Sequence, residues 1–180
     1  SVLVGDYWLV KAVSQILGAD RGAIRSIEIF AKTLSDLAEG EMLQLQKART
    51  GDTSQEDYLR IIYSKTASLF EAACQSAAIS VNASEEIEKA ARDYAVALGL
   101  AFQIKDDILD YSSTVTDGKD VGSDLAERKI TIPLLCAFEN CPDREEEIRS
   151  LIREIDVTKG ADQTRNTEII KKVRQFVMDN

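Results

Sequence analysis

Apolar residues recur along this chain at helical spacing, and no alternating run of useful length competes with them. With two prolines and widely spaced glycines, the pattern predicts long helices and an all-α fold in a single domain over residues 1–180. Val2 to Leu17 reads as the first helix, ended by Gly18. Asp6 shares a face there with Val2, Leu3, Leu9, Val10 and Val13, so burial in a hydrogen-bonded, structural role is expected. The second helix, Ala23 to Ala48, is expected to bury Ile27, Phe30, Leu34, Leu37, Ala38 and Leu45, with Glu41 and Gln44 adjoining that face. Gly51-Asp52 breaks the chain, and Thr53 with Glu56 makes a capping box for a third helix. That helix carries Leu59, Ile61, Ile62, Leu69 and the small residues Ala72, Ala73 and Ser76. Lys65 lies on the side shared with Ile61, Ile62, Leu69 and Ala72, where an ammonium must reach outward or meet an anion.

Ser84, followed by Glu85 and Glu86, fits the N-cap and acidic first turn of a helix that continues through Gly99 to Tyr111, a span of roughly 40 Å at 1.5 Å per residue. From Ser112 to Asp124 the chain carries too many breakers for a regular element and reads as a loop placed to act as a lid. Pro133 permits a helix from near Ile132, ended at Cys141-Pro142. Arg144 to Ile155 and Thr167 to Met178 are amphipathic helices without evident chemistry.

The stretch Phe102-Gln-Ile-Lys-Asp-Asp-Ile-Leu-Asp-Tyr111 carries the chemistry. In a helix each residue advances about 100°, so Gln103, Asp106, Asp107 and Asp110 share one stripe. Ile104, Ile108 and Tyr111 flank it on one side and Phe102 and Leu109 on the other, which aims the stripe at an internal cleft. Crowded carboxylates at low dielectric stay ionised only beside a cation. Hard oxygens one turn apart suit Mg²⁺, which completes its shell with water and substrate phosphates. A solvated acidic helix end remains the alternative reading.

Composition narrows the choice. Lys+Arg 22 against Asp+Glu 31 gives a net charge of −9, which disfavours a nucleic-acid partner, since phosphate backbones need a basic face. The absence of histidine removes Ser-His-Asp and Cys-His catalysis and most zinc sites. Cys74, Cys136 and Cys141 have no metal-ligand spacing and read as free thiols of a reducing cytosol. No apolar run approaches the ~20 residues of a membrane span. Ser1 to Val10 lacks a basic leader, and the chain opens inside a helix without an initiating Met, as a processed or truncated product would.

Several stretches together resemble the trans-type polyprenyl diphosphate synthases: Val2-Leu-Val-Gly-Asp6, Ala38-Glu-Gly-Glu41, Ser64-Lys-Thr-Ala67, Phe102 to Asp110, Gly118-Lys-Asp-Val-Gly-Ser-Asp124 and Lys129-Ile-Thr-Ile-Pro133. They follow the family's order over about the first three quarters of the chain. The resemblance implies an antiparallel helical bundle of the isoprenoid synthase type, here truncated at both ends. By the same resemblance Asp106 is a direct Mg²⁺ ligand, supported by Asp107 and Asp110. Lys65, Thr66, Gln103, Lys119 and Lys129 match positions that contact the allylic diphosphate or the nascent carbocation. Asp124 matches one holding metal-bound water, and Glu41 one facing the cavity.

The implied reaction is Mg²⁺-assisted ionisation of an allylic diphosphate and attack by the double bond of isopentenyl diphosphate. The resemblance further implies a homodimer formed largely through the helices near the chain start, and the free thiols point to the cytoplasm. The family's first aspartate-rich motif lies upstream of the Val-Gly-Asp segment, so a fragment inactive by itself is expected. Three other readings compete: a non-catalytic partner subunit of a heteromeric synthase, a terpene cyclase, and an acidic helical scaffold. The first two are disfavoured by the retained Lys65, Gln103, Asp106 and Lys119 and by the Lys65-Thr66 and Gly118-Lys119 elements. The scaffold leaves an interior polar stripe unexplained.

Overall fold

A computed structural model describes residues 2–19, 22–112, 122–158 and 163–180, all helix or connecting turn and none in a strand. The elements are α1 (Val2–Leu17), α2 (Ala23–Thr50), α3 (Gln55–Ile62), a π-turn (Tyr63–Ala67), α4 (Ser68–Ser80), α5 (Glu85–Ser112), α6 (Ser123–Ala126), α7 (Ile132–Asn140), a 3₁₀ turn (Pro142–Arg144), α8 (Glu145–Arg153) and α9 (Gln163–Asp179). The all-α expectation holds. The contacts divide the chain into two units, Ser1–Gly40 with Tyr63–Leu100 and Glu41–Ile62 with Ala101–Asn180. The long helices α2 and α5 give residues to both.

In the first unit close approach is made with small residues. Ala67 and Ala95 are fully buried, and Ser64 and Ser68 nearly so. Gly99 lets α5 pass the π-turn, for a Cβ there would stand 2.6 Å from the Ala67 Cα. Charged pairs bind the periphery: Glu71 accepts from the Tyr63 hydroxyl at 2.6 Å and from Arg92 Nε at 3.0 Å. Glu88 accepts from Arg25 and Gln75. Helix α1 buries none of its residues. Asp6, expected inside, is exposed together with Val2, Leu3, Leu9 and Val10 of the same face, because only the later turns of α1, at Ala12, Val13 and Ile16, are half-buried.

Helix α2 also departs from its predicted face. Thr33 and Gly40 are its buried positions, while Leu34, Ala38 and Leu45 are exposed and Ile27, Phe30 and Leu37 half-buried. Helices in close contact select the narrowest side, and a Cβ on Gly40 would fall 2.7 Å from Ser64 Cβ. The predicted single third helix is two α segments joined by the π-turn. Its wider turn changes the register of the following residues. Lys65 is half-buried and Leu69 exposed as a result.

The second unit holds the large apolar core: Leu125, Leu134, Ile148, Ile152, Ile155 and Val173 are essentially fully buried. Pro133 opens α7, as expected, and Phe138 packs on Phe176 of α9 with ring centroids 6.0 Å apart. Arg149 lies over the Phe138 ring and donates to the carbonyls of Gly51 at 2.9 Å and Thr53 at 3.1 Å, fixing the turn before α3. The capping box sits one residue later than predicted. Ser54, not Thr53, caps α3, and its N–H and hydroxyl meet the Asp57 carboxylate while its Oγ accepts from the Asp57 N–H. Thr53 is buried, its carbonyl engaged by Arg149. Of the predicted loop, residues 113–121 lie outside those described, while Ser112 belongs to α5 and Ser123 and Asp124 to α6. Helix α9 begins at Gln163, ahead of the predicted Thr167.

Asp57 also pairs with Lys47 Nζ at 2.8 Å. Burial raises its pKa, but hydrogen bonds from Lys47 and Ser54 outweigh this and bring it down to about 2. A depressed carboxyl stabilises the fold above the ordinary value near ~4, and this contribution fades as pH falls toward about 2. Asp57→Asn is expected to cost about 1–2 kcal/mol in denaturant unfolding at neutral pH, with the difference vanishing in strong acid. Equal midpoints at neutral pH would contradict the pairing.

Candidate functional site

The last turns of α5 supply the acidic residues, and the second unit treats each differently. Asp107 turns inward and is 4% exposed. The Tyr58 hydroxyl donates to its Oδ2 at 2.7 Å, and Gln103 Nε2 donates to its Oδ1 at 2.9 Å. Burial pushes the Asp107 pKa above the usual carboxylate range, opposed by those two donors. Burial and the facing carboxylate also push the Tyr58 hydroxyl up, so it remains a donor.

Asp110 is half-buried and serves as a cap. Its Oδ1 accepts from the Ser123 N–H at 3.2 Å and the Ser123 hydroxyl at 2.8 Å, and its Oδ2 from the Asp124 N–H at 3.3 Å. The chain enters this turn through Gly122, whose φ of +84° suits glycine. Asp106, by contrast, is exposed. The stripe therefore does not face inward as a whole: of its flanking residues Tyr111 is buried, whereas Phe102, Ile108 and Leu109 are 59%, 42% and 45% exposed.

Asp124 follows in α6. Burial pushes its pKa up to about 6; Lys129 opposes the rise, and repulsion from Asp110 and Asp107 adds to it. Lys129 Nζ stands 3.3 Å from Asp124 Oδ1 and 2.7 Å from Glu127 Oε2. Burial works against the lysine's charge, but these two acids raise its pKa, so it stays cationic. Arg128 precedes it with φ +60° and donates through Nε to the Ile155 carbonyl at 2.6 Å, which anchors the turn that presents Lys129. Glu41 and Gln44 of α2 line a groove of about 370 Å³ together with Arg49, Arg128 and Lys129.

The structure thus brings together Gln103 with Asp107, Asp110 with the start of α6, and Asp124 with Lys129, while Glu41 shares a groove with Lys129. Lys65 and Thr66 lie in the π-turn of the first unit, both half-buried, with Lys65 Cγ packed close to Gly40. Lys119 lies outside the described residues. Two residues that sequence reasoning passed over, Tyr58 and Ser123, make the contacts that sort the acids. Tyr58 carried a signal: one turn before the apolar pair Ile61-Ile62, its hydroxyl had to find a buried partner.

Among the described residues no three acidic or thiol side chains converge as a ready-made metal cage. The donor set fits an ion that keeps water and substrate phosphate in its shell. Exposed Asp106 would be its oxygen donor, and the repulsion of Asp110 and Asp107 on Asp124 is of the kind a cation would relieve.

The family model described as polyprenyl synthetase matches residues 1–172. The chain is 42% identical over 156 residues to the octaprenyl diphosphate synthase of Escherichia coli (strain K12), covering 86% of this chain and 48% of that protein. It is 35% identical over 141 residues to heptaprenyl diphosphate synthase component 2 of Geobacillus stearothermophilus, covering 78% and 43%. A crystal structure of polyprenyl synthase from Caulobacter crescentus CB15, complexed with calcium and isoprenyl diphosphate, superposes with a TM-score of 0.76 at 37% identity, covering 99% of this chain and 55% of that one. The chain spans about half the length of the curated relatives it matches.

The raised Asp124 pKa sets a pH dependence. Below ~4 the group is protonated in folded and unfolded chains alike; between ~4 and about 6 only the folded chain keeps the proton, so stability falls as pH rises through that window. Asp124→Asn is expected to remove about 1–3 kcal/mol of that fall in metal-free denaturant titrations. Parallel stability profiles for the two proteins would refute it.

Proposed function

Because the chain belongs to the polyprenyl synthetase family, we propose that it carries the second aspartate-rich motif and diphosphate-binding elements of a prenyltransferase that joins an allylic diphosphate to isopentenyl diphosphate with Mg²⁺. The observation that carries this reading is the sorting of the α5 acids: Asp107 is closed off by Tyr58 and Gln103 and Asp110 caps α6, which leaves Asp106 facing outward. A solvated acidic helix end has no reason to bury one carboxylate and lock another.

Asp106 would hold the ion directly, with Asp107 and Asp110 supporting it and Asp124 holding ion-bound water. When bound, Mg²⁺ screens the diphosphate oxygens and the charge that develops as the allylic carbon–oxygen bond breaks. Lys65, Thr66, Gln103, Lys119 and Lys129 bind and orient the diphosphate, and Glu41 borders the cavity. Lys129 is suited to this, since Asp124 and Glu127 keep it charged at the edge of the Glu41 groove. No protein nucleophile is required, which accords with a chain that has no histidine.

The same reading includes a homodimer. Helix α1 leaves Val2, Leu3, Trp8 and Val10 between 64% and 81% exposed, an apolar face of the kind a second copy covers. No described helix is long and apolar enough to cross a membrane, and we place the protein in the cytoplasm, acting on soluble diphosphates rather than nucleic acid. A second reading, a partner subunit of a heteromeric synthase, draws on the similarity to a protein named as component 2 of such an enzyme. Stable co-purification with a longer homologue would favour it.

The direct test is calorimetry of geranyl or farnesyl diphosphate binding to the 180-residue chain. Binding is expected to require Mg²⁺, to be lost in Asp106→Asn, and to weaken about tenfold in Lys65→Ala, or ~1.4 kcal/mol. Binding of equal strength without the metal would overturn the reading.

A further inference from the structure

Tyr58 is a buried side chain to which the reaction gives no part, yet its hydroxyl is spent on one carboxylate of the acidic motif. It is 2% exposed, and its donor reaches Asp107 Oδ2 at 2.7 Å. Gln103 Nε2 takes the other oxygen at 2.9 Å, so both oxygens of Asp107 are committed to neutral donors inside the protein. Asp107 is the helical neighbour of Asp106, about 100° around α5. Fixing the inward bearing of Asp107 therefore fixes the outward bearing of Asp106, and also the amide of Gln103.

Tyr58 is itself held. Helix α3 is capped by Ser54 and Asp57, and the turn before it is clamped through the Gly51 and Thr53 carbonyls by Arg149. A charge-assisted hydrogen bond from so constrained a donor is shorter and more directional than one from a mobile surface group. From this geometry we infer that Tyr58 is a positioning residue, which acts through Asp107 to set the rotation of α5 and so aim Asp106 at the metal-bound diphosphate, with Asp107 itself not a metal ligand.

The inference rests on the prenyltransferase reading, and the experiment separates the two. The full 180-residue chain is titrated with Mn²⁺ in the presence of inorganic pyrophosphate, free Mn²⁺ is followed by electron paramagnetic resonance, and thermal melting is recorded for each variant. Asp106→Asn is expected to abolish the pyrophosphate-dependent Mn²⁺ site. Asp107→Asn keeps an acceptor for Tyr58 and should therefore lose less Mn²⁺ affinity than Asp107→Ala, which keeps none. Asp107→Ala and Tyr58→Phe should each weaken Mn²⁺ at least fivefold in samples kept well below their melting temperatures. The double variant Tyr58→Phe/Asp107→Ala should lose no more than Asp107→Ala alone, since both break one linkage.

A wild-type chain with no pyrophosphate-dependent Mn²⁺ site overturns the functional reading and this inference with it. A wild-type site lost equally in Asp106→Asn and Asp107→Asn makes Asp107 a ligand and overturns the inference alone. So does a Tyr58→Phe protein that melts earlier but binds Mn²⁺ as wild type does, since that is the behaviour of a purely structural tyrosine.

Discussion

Three carboxylates within five residues of one helix repel one another, and the second unit is arranged around keeping them apart in environment. Each unit charge at about 4–6 Å from another costs on the order of a few kcal/mol at the effective dielectric of a protein surface, and more if water is excluded. The chain resolves this by giving the acids different surroundings. Asp107 goes inward to a tyrosine and an amide, Asp110 is absorbed into the first turn of α6, and Asp106 is exposed. What repulsion remains shows in Asp124, pushed up to about 6 by burial and by Asp110 and Asp107 despite Lys129 beside it.

That arrangement is only as good as what holds it. The support can be followed through one unit: Arg149 on α8 stacks over Phe138 and grips the turn at Gly51 and Thr53, the turn sets Ser54 and Asp57, these start α3, and α3 carries Tyr58 to Asp107. On the other side of the acids, Arg174 donates to the Tyr111 carbonyl at 2.7 Å and Arg128 to that of Ile155, so α9 and the loop after α8 restrain the end of α5 and the approach to Lys129. The proposed reaction gives these arginines no substrate contact, although Arg128 also lines the Glu41 groove. Their contribution is to order carbonyls that would otherwise be buried without donors.

Much of this was legible in the sequence, and the misses share a cause. The helix order, the continuous α5 through Gly99, the Ser84 cap and the Pro133 start depend on local chemistry and came out as read. The reading went wrong where a helix had more than one plausible face. Leu34, Ala38 and Leu45 looked like core because they are apolar, yet α2 is buried at Thr33 and Gly40, since close approach rewards small residues over large ones. Asp6 looked buried because its neighbours are apolar, but residues 2–11 of α1 are all exposed. The cap moved from Thr53 to Ser54 because two overlapping patterns, Thr-x-x-Glu and Ser-x-x-Asp, compete there and only tertiary contact with Arg149 and Lys47 chooses between them. In the acidic stretch the residue types were readable and their division of labour was not, because it depends on Tyr58 and Ser123, far away in sequence.

The placement of the acids in the second unit follows from where the chain can absorb their cost. Burying one carboxylate forfeits several kcal/mol of hydration, and two charge-assisted hydrogen bonds return about 1.5–3 kcal/mol each. The balance for Asp107 is close to even, so the surrounding unit has to be stable on other grounds. It is: the six large side chains that are essentially fully buried all lie there, each contributing about 1.5–3 kcal/mol of hydrophobic stabilisation. The first unit, built on Ala67, Ala95, Gly40 and Gly99, has close backbone contacts but little apolar volume inside, and it leaves most side chains of α1 exposed. A buried charge there would have had neither a deep core behind it nor a clamp on its donor, and the acidic motif accordingly occupies the end of α5 that belongs to the better-packed unit.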